Sequence, residues 1–364
     1  MVMQKRIAAL VAALVVIFSM QITSFGSEIS LSLEEAIAVA TKDNPQFISA
    51  DTKIKNAQKQ LDEAKRDQKN VKGVIRLPDA FSLVAVKQGY YVEQAKMGLE
   101  CAIMEKSQAE KKLAYEVTEK YYSVKLSESL YKNAEDTYNI ALENKNAVDI
   151  QFSLGLVAEL DVNKADYALM QAGAMRDSYG RNLDIARKNL LISLQLDENT
   201  KMVLTDGIEY EEFTSDVEAD IESAMNTRID IYSLKTSVAL ADKYRSITKV
   251  LGEKSAEYSA ANQSYVQSEY TYTNTKKLIG VSIYSMYNNI LNARDSLKLA
   301  ETNLALREKE YNIAKLQEEL GLITNTQLMS ALSSVSAAKI ELENAKLTYK
   351  LAVKKYGYET ETGL

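Results

Sequence analysis

The sequence lacks the residues that most enzyme and metal sites need. Its 364 residues include no histidine, no tryptophan, two prolines and one cysteine. Without histidine, imidazole-based acid–base chemistry, serine triads and histidine metal sites are excluded. Cys101 has no partner for an intramolecular disulfide, and its place in a helical run predicts a small buried apolar side chain rather than a reactive thiol. We therefore predict no enzyme activity, no cofactor and no metal site.

The charge pattern excludes a second class of function. Lysine and arginine number 44 against 50 aspartates and glutamates, a net charge of -6, and the charges are interspersed. A nucleic-acid partner would require a basic stripe or patch. We predict no nucleic-acid binding.

Scarce proline and only 13 glycines favour long, uninterrupted helices. Gly321 stands alone between two helical patterns and is followed by an apolar residue, which predicts a left-handed helix cap and a chain reversal. After it, one helix face carries a large and a small apolar residue in each heptad, and a second apolar row lies on the opposite face. The first face comprises Leu328, Val335, Leu342, Tyr349 and Tyr356 with Ala331, Ala338, Ala345 and Ala352; the second comprises Ala337, Ile340, Leu347 and Leu351. A helix with two such faces needs neighbours on both sides, as in the wall of a tube.

The same unit occurs earlier in the chain. Gly155 is followed by a heptad pattern in the register seen after Gly321, and the segments upstream of both glycines match as well. Repetition on this scale indicates a tandem duplication of a long helical hairpin. We predict a signal peptide over residues 1–26, a first helical repeat over 27–196 with its tip near 155, a linker over 197–214, and a second repeat over 215–364 with its tip near 321.

The signal peptide prediction rests on Lys5 and Arg6, the apolar run 7–18 and the small residues around Gly26. No later segment approaches the ~18–20 apolar residues of a spanning helix, so we expect export without a helical anchor.

Local signals predict the helix boundaries of the shorter elements. Capping-box patterns begin helices at Ser32 and Ser215, and Asn44-Pro45 begins another. We expect one helix from Val217 through Ala241, an irregular connection or short extended pair over 71–88, and a mostly helical segment over 245–280.

Three stretches together resemble the TolC-type outer-membrane efflux protein family. They are Leu33-Glu34-Glu35-Ala36-Ile37 with Asn44-Pro45, the turn from Gly155 to Val162 followed by Ala165, and Gly321-Leu322-Ile323. The resemblance implies a homotrimer whose three copies close a twelve-helix tube. It also implies that the tube is a passive conduit, docked by its tips onto a periplasmic adaptor (a membrane fusion protein) and served by an inner-membrane pump.

The sequence departs from that family where β-hairpins of an outer-membrane barrel are expected. The candidate regions are short (71–88) or lack alternation (245–280), whereas a membrane strand needs ~9–11 residues. We therefore predict a mainly all-α fold of duplicated, antiparallel coiled-coil hairpins that forms an α-barrel protomer with little or no β-barrel. The location implied is the cell envelope: the outer membrane by resemblance, or an extracytoplasmic or cell-surface site if the strands are absent.

The resemblance also suggests functional positions. The adaptor-contact tips correspond to Leu154, Gly155, Leu156 and Val157 and to Leu320, Gly321, Leu322 and Ile323. Possible pore-entrance positions are Asp161, Gln327 and Ser330. Family members often carry acidic residues at the last two, and a basic residue where this chain has Ile323, so Asp161 lacks its expected mate.

Two functions remain open at this point. The first is an export duct that works with an adaptor and an energised pump. The second is a non-conducting coiled-coil scaffold of the cell envelope, descended from such ducts. A periplasmic adaptor is a weaker alternative, because it would need β-rich, lipoyl-like flanks that this chain lacks.

Overall fold

The computed structural model describes residues 29–71 and 80–363, and the predicted signal peptide lies outside them. Two three-residue strands and nine α-helices occupy these residues, together with a 3-10 turn at Lys249–Leu251. The elements are β1 (Ile29–Leu31), α1 (Leu33–Thr41), α2 (Pro45–Asn70), α3 (Ala80–Lys87), α4 (Tyr90–Ser153), α5 (Glu159–Ser193), β2 (Met202–Leu204), α6 (Val217–Thr227), α7 (Ile229–Thr248), α8 (Ala256–Glu319) and α9 (Asn325–Thr362).

The first two helices begin where the sequence predicts. The Glu35 amide donates to the Ser32 hydroxyl at 3.2 Å, and the Ser32 amide donates to the Glu35 carboxylate at 2.8 Å, which completes the capping box. Asn44 accepts from the Gln46 amide at 3.0 Å, and Pro45 occupies the first helical position.

The second repeat corrects two of these predictions. Asp216, not Ser215, caps α6, because its carboxylate accepts the Glu218 and Ala219 amides. The single helix expected from Val217 through Ala241 is broken at Arg228, whose backbone is extended. The buried Arg228 guanidinium donates to the Asp230 carboxylate and to the Glu359 carbonyl oxygen. The break therefore comes from a tertiary contact with the end of α9 and not from a local breaker.

The connection predicted over 71–88 is also wrong in its described part, because residues 80–87 form α3. This helix packs against α4 and α7, and Ala85 is buried there. The helical prediction for 245–280 is confirmed on both sides of a turn at 249–255.

The all-α prediction of duplicated long hairpins is confirmed. Hairpin 1 consists of α4 and α5, and hairpin 2 of α8 and α9; α4 and α8 have 64 residues each, or roughly 96 Å at 1.5 Å per residue. The packed pairs are α4 with α5, α8 with α9, and α4 with α9. The four arms therefore lie in the order α5, α4, α9, α8, with α5 and α8 at the two edges.

The predicted two-sided packing of α9 is present. Tyr349 and Tyr356 are buried on its hairpin 2 side, and Leu347 packs against the core of the first repeat. Between the hairpins, the Asn133 amide donates to the Ser336 carbonyl at 3.2 Å and to its hydroxyl at 2.9 Å. These buried polar bonds set how far α9 can slide along α4.

The middle of the molecule joins both ends of the first repeat. β1 and β2 pair in parallel, with Leu31 opposite Leu204. The buried Tyr121 hydroxyl of α4 donates to the Leu31 carbonyl at 2.9 Å and accepts the Asp206 amide at 3.0 Å. Burial raises the pKa of the Tyr121 phenol, so the group stays protonated and can donate.

In the second repeat a buried tyrosine of a long helix also bonds to the linker backbone. The Tyr349 hydroxyl of α9 accepts the Phe213 amide at 2.8 Å. Phe213 in turn packs its ring against Tyr356, with ring centroids 5.3 Å apart. The linker between the repeats is thus held to one long helix of each hairpin by a buried tyrosine.

Beyond this middle, on the side away from the hairpin tips, α2 packs along α4 and α7 along α8. Cys101 lies here on α4 and is half-buried rather than fully buried. Burial raises the pKa of its thiol, which is the opposite of what a reactive cysteine requires.

We predict that Tyr121→Phe lowers the free energy of unfolding by about 1–3 kcal/mol, because it leaves the buried Leu31 carbonyl and the partly buried Asp206 amide without their partner. Tyr167→Phe, at an exposed position on α5, should change it by less than about 0.5 kcal/mol. Urea unfolding followed by circular dichroism measures both. Equal midpoints for the two variants would contradict the assigned role.

Candidate functional site: the two hairpin tips

The two tips are near copies of one another. Each long descending helix ends in a Schellman motif with a left-handed glycine, Gly155 at φ +72° and Gly321 at φ +70°. In the first, the Gly155 amide donates to the Phe152 carbonyl and the Leu156 amide to the Gln151 carbonyl, both at 2.9 Å. Gly321 and Leu322 make the equivalent bonds at 2.8 Å.

Both tips expose leucines at equivalent positions. Leu156 and Leu322 are each 70% exposed, and Leu154 and Leu320 are each 66% exposed. Val157 and Ile323 are half-buried behind them. Each apex therefore presents two large apolar side chains to solvent, held in place by a rigid cap.

Two of the suggested pore-entrance residues act as helix caps. Asp161 accepts the Ala158 amide at 3.2 Å, and Gln327 accepts the Thr324 amide at 2.8 Å. Both sit at the third residue of a return helix, where such side chains satisfy an otherwise free backbone donor. Only hairpin 2 has the reciprocal bond, in which the Gln327 amide donates to the Thr324 hydroxyl at 3.4 Å.

A groove opens between the two return helices just behind the tips. It has a volume of about 620 Å³, with α5 and α9 as walls and Thr137 and Ala141 of α4 at its floor. Ser330, the third suggested pore-entrance residue, lines this groove. Apolar contributions come from Tyr167, Met175, Met329 and Ile340.

A charged cluster ties the arms of hairpin 1 together near its tip. Lys145 of α4 donates to Asp149 at 2.6 Å and reaches Asp166 of α5 at 3.1 Å. The hydrogen bonds that Lys145 donates to Asp149 and then to Asp166 raise the pKa of its ammonium. The lysine therefore stays charged at all physiological pH values.

The exposed apolar stripe of α8 is not among the functional positions predicted from the sequence. Leu278, Leu299, Leu306 and Ile313 are all more than half exposed and share one heptad position with Leu320. Their repeat lies two residues after a row formed by the buried Leu297 and the half-buried Leu304 and Tyr311, so the pattern was present in the sequence. Only the structure shows that nothing within the described chain covers it.

These features can be compared with known proteins. Residues 250–355, most of hairpin 2, match the family model of outer membrane efflux proteins. The fold is similar to the CmeC outer membrane channel of Campylobacter jejuni, with a TM-score of 0.70 at 14% identity over 95% of this chain and 91% of that one. This is the TolC-type efflux channel fold.

Two further solved channels share the TolC-type fold. The open state of the MtrE outer membrane channel of Neisseria gonorrhoeae gives a TM-score of 0.72 at 14% identity, covering 94% of each chain. VceC of Vibrio cholerae gives 0.70 at 13% identity, over 91% of this chain and 97% of that one. No curated protein matches this chain in sequence. The resemblance found in the sequence is confirmed.

In residues 29–71 and 80–363, every helix falls short of the combined length and apolarity needed to cross a membrane.

We predict opposite effects for two glycine substitutions. An added Cβ meets nothing within 4 Å at either Gly155 or Gly98. The effect of each substitution on stability therefore depends only on the backbone conformation. Gly155→Ala should cost about 1–2 kcal/mol of unfolding free energy, because alanine is strained at positive φ. Gly98→Ala, inside α4, should gain about 0.5–1 kcal/mol. Urea unfolding measures both, and a neutral Gly155→Ala would refute the left-handed cap.

The N-caps of the two return helices differ, which gives a second pair of substitutions to test. Ala158→Thr should stabilise hairpin 1 by about 1 kcal/mol by supplying the missing acceptor, whereas Thr324→Ala should destabilise hairpin 2 by about the same amount. Hydrogen exchange at the first turns of α5 and α9 resolves the two effects. Changes of the same sign at both tips would contradict the assignment.

Proposed function

We propose that this chain is one protomer of a homotrimeric export duct, a passive conduit that works with an adaptor and an energised pump to move substrates out across the cell envelope. The observation that carries the proposal is the uncovered apolar stripe on the edge helix α8. The TolC-type fold supports the same conclusion.

The stripe is costly for a solitary protomer. Completing the burial of a leucine or isoleucine that is more than half exposed would stabilise an assembly by roughly 1–2 kcal/mol per side chain. Three of the four, Leu299, Leu306 and Ile313, follow one another at seven-residue intervals on α8, which is the spacing that a neighbouring helix requires.

The opposite edge offers a matching surface. On α5, four large apolar side chains outside the groove are more than half exposed, and they comprise Leu160, Met170, Ile185 and Ile192. If α8 of one protomer packs on α5 of the next, the two contacting surfaces differ. The contact is then head-to-tail. Such contacts close into a ring when the rotation permits.

The tips support adaptor docking. Four leucines are 66–70% exposed at the two apices, and two Schellman caps hold them rigidly. Apolar anchors on a preorganised support are typical of protein-binding surfaces.

We predict that the mature chain sediments as a trimer at micromolar concentration, and that Leu306→Glu with Ile313→Glu converts it to a monomer. The matched control is Ala305→Glu with Asn312→Glu, which adds the same charge at exposed positions one residue earlier in each heptad. Sedimentation velocity measures the mass, and circular dichroism checks that each variant is folded.

Two results would overturn the proposal. A wild-type chain that stays monomeric at micromolar concentration would favour the non-conducting scaffold. Dissociation of the control as well as the stripe variant would show that added charge, not loss of the stripe, breaks the assembly.

A further inference from the structure

The groove behind the tips joins the two hairpins. Its walls are the return helices, α5 of hairpin 1 and α9 of hairpin 2, and Ser336 on the α9 wall bonds to Asn133 across the seam. Its volume of about 620 Å³ lies within the ~300–1,000 Å³ of small-molecule sites. A molecule lying in the groove would contact both hairpins at once.

The groove carries almost no charge. Lys164 is the one charged residue among the 16 that line it. Its half-exposed ammonium lies 3.8 Å from the Asp161 carboxylate, which already balances the positive charge. The lining therefore offers no free counter-charge to an ion and favours an uncharged ligand.

The lack of charge belongs to one side of α9. On the groove side, positions 326, 330, 333, 337, 344 and 348 are all uncharged. Roughly 135° away round the helix, at 100° per residue, a charged stripe comprises Lys339, Glu343, Lys346 and Lys350. Lys350 donates to the Gly207 carbonyl of the linker at 3.3 Å. The charged stripe therefore faces the linker, and the groove opens on the other side of the helix.

The lining combines exposed apolar groups with polar groups that are free to bind. Tyr167 is 66% exposed and Met175 is 39% exposed. The flexible, polarisable side chains of Met175 and Met329 can adapt to ligands of different shape. The side-chain amides of Asn163 and Gln171 form no hydrogen bond with any residue in the described part of the chain. They can donate to and accept from a ligand.

A partner helix matches this lining poorly. A packed helix needs an apolar row that recurs in every heptad, as on α8. The α9 positions with that spacing in the groove are Thr326, Ser330 and Ser333. A small molecule, in contrast, can place its apolar body and its polar groups independently.

We infer that the groove binds an uncharged, amphipathic small molecule. Its aromatic or aliphatic body would lie against Tyr167, Met175 and Met329, and its hydrogen-bonding groups would face Asn163 and Gln171. Such a ligand bridges the two return helices beside the seam. Because the whole groove lies within one chain, the site goes beyond the proposed duct and does not require the trimer.

Two dyes with the same aromatic body test the ligand class. N-phenyl-1-naphthylamine is uncharged, whereas 1-anilinonaphthalene-8-sulfonate carries a sulfonate. We expect the uncharged dye to bind saturably and at least about tenfold more tightly than the sulfonate, because the groove provides no counter-charge. Lys164→Gln should leave the affinity for the uncharged dye within about twofold of wild type. Dye fluorescence during titration measures each affinity.

A pair of substitutions tests the location. Ala337→Trp adds a large side chain inside the groove, and the matched control Ala260→Trp adds the same side chain at an exposed position of α8 outside it. The first should weaken binding of the uncharged dye at least about tenfold by displacing its apolar contacts. The control should bind as the wild type does, and circular dichroism checks that both variants are folded.

Several results would overturn the inference. Tighter binding of the sulfonate would make the groove an anion site. Unsaturable fluorescence, or equal losses in Ala337→Trp and Ala260→Trp, would place the dye outside the groove. Dye binding that disappears as the protein self-associates would show that a second copy covers it.

The same titration with the Leu306→Glu, Ile313→Glu variant separates this inference from the proposed duct. Those residues lie on α8, outside the groove. Dye binding should persist in this variant whether or not the wild type forms trimers. Loss of dye binding in a folded variant would contradict a site contained within one chain.

Discussion

The structure depends on one helix, α9, having packed neighbours on two opposite sides. Its Tyr349 side is buried with α8, and its Ser336 side bonds to α4 of the other hairpin. A helix with one apolar face would end in a simple hairpin. Because α9 has two apolar faces, the two hairpins pack side by side in a row. The row ends at an edge helix on each side, α5 and α8. The exposed apolar rows on α5 and α8 are the direct consequence.

The middle of the molecule keeps this row open. α1 packs on α4, and α6 packs on α8 and α9, while Tyr121 and Tyr349 bind the backbone of the linker that joins the repeats. These elements hold the two hairpins side by side at mid-height. The edge helices cannot then fold towards each other and bury their stripes within one chain, as they would in a four-helix bundle.

Much of the hairpin architecture could be predicted from the sequence, because the apolar residues of the long helices repeat every seven residues. Gly155 and Gly321, 166 residues apart, lie in the same surroundings, and their caps have the same geometry. Heptads predicted which rows are buried, since one face of a long helix is set by spacing alone. The first-repeat boundaries were visible because Ser32 and Pro45 act through their immediate neighbours.

What the sequence could not provide was structure that depends on distant partners. Arg228 breaks a helix through its bonds to Asp230 and to Glu359, which is 131 residues away. The helix α3 exists because α4 and α7 give it a surface to pack on, although its own pattern is not periodic. At the tips the causes are local instead. Asp161 and Gln327, which the resemblance suggests as pore-entrance residues, also cap their helices through local backbone bonds.

The tip caps and the seam between the hairpins differ in whether local or distant contacts hold them, and this difference affects how the protein could move. The tip caps are closed by bonds within a few residues, so each apex can shift as a rigid unit. The seam between the hairpins also has contacts nearer the end of α9, where Lys111 pairs with Glu361 and the Lys350 ammonium lies 4.0 Å from the Tyr122 ring centroid. A displacement of α9 along α4 would therefore have to break the Asn133–Ser336 bonds together with the contacts near the end of α9.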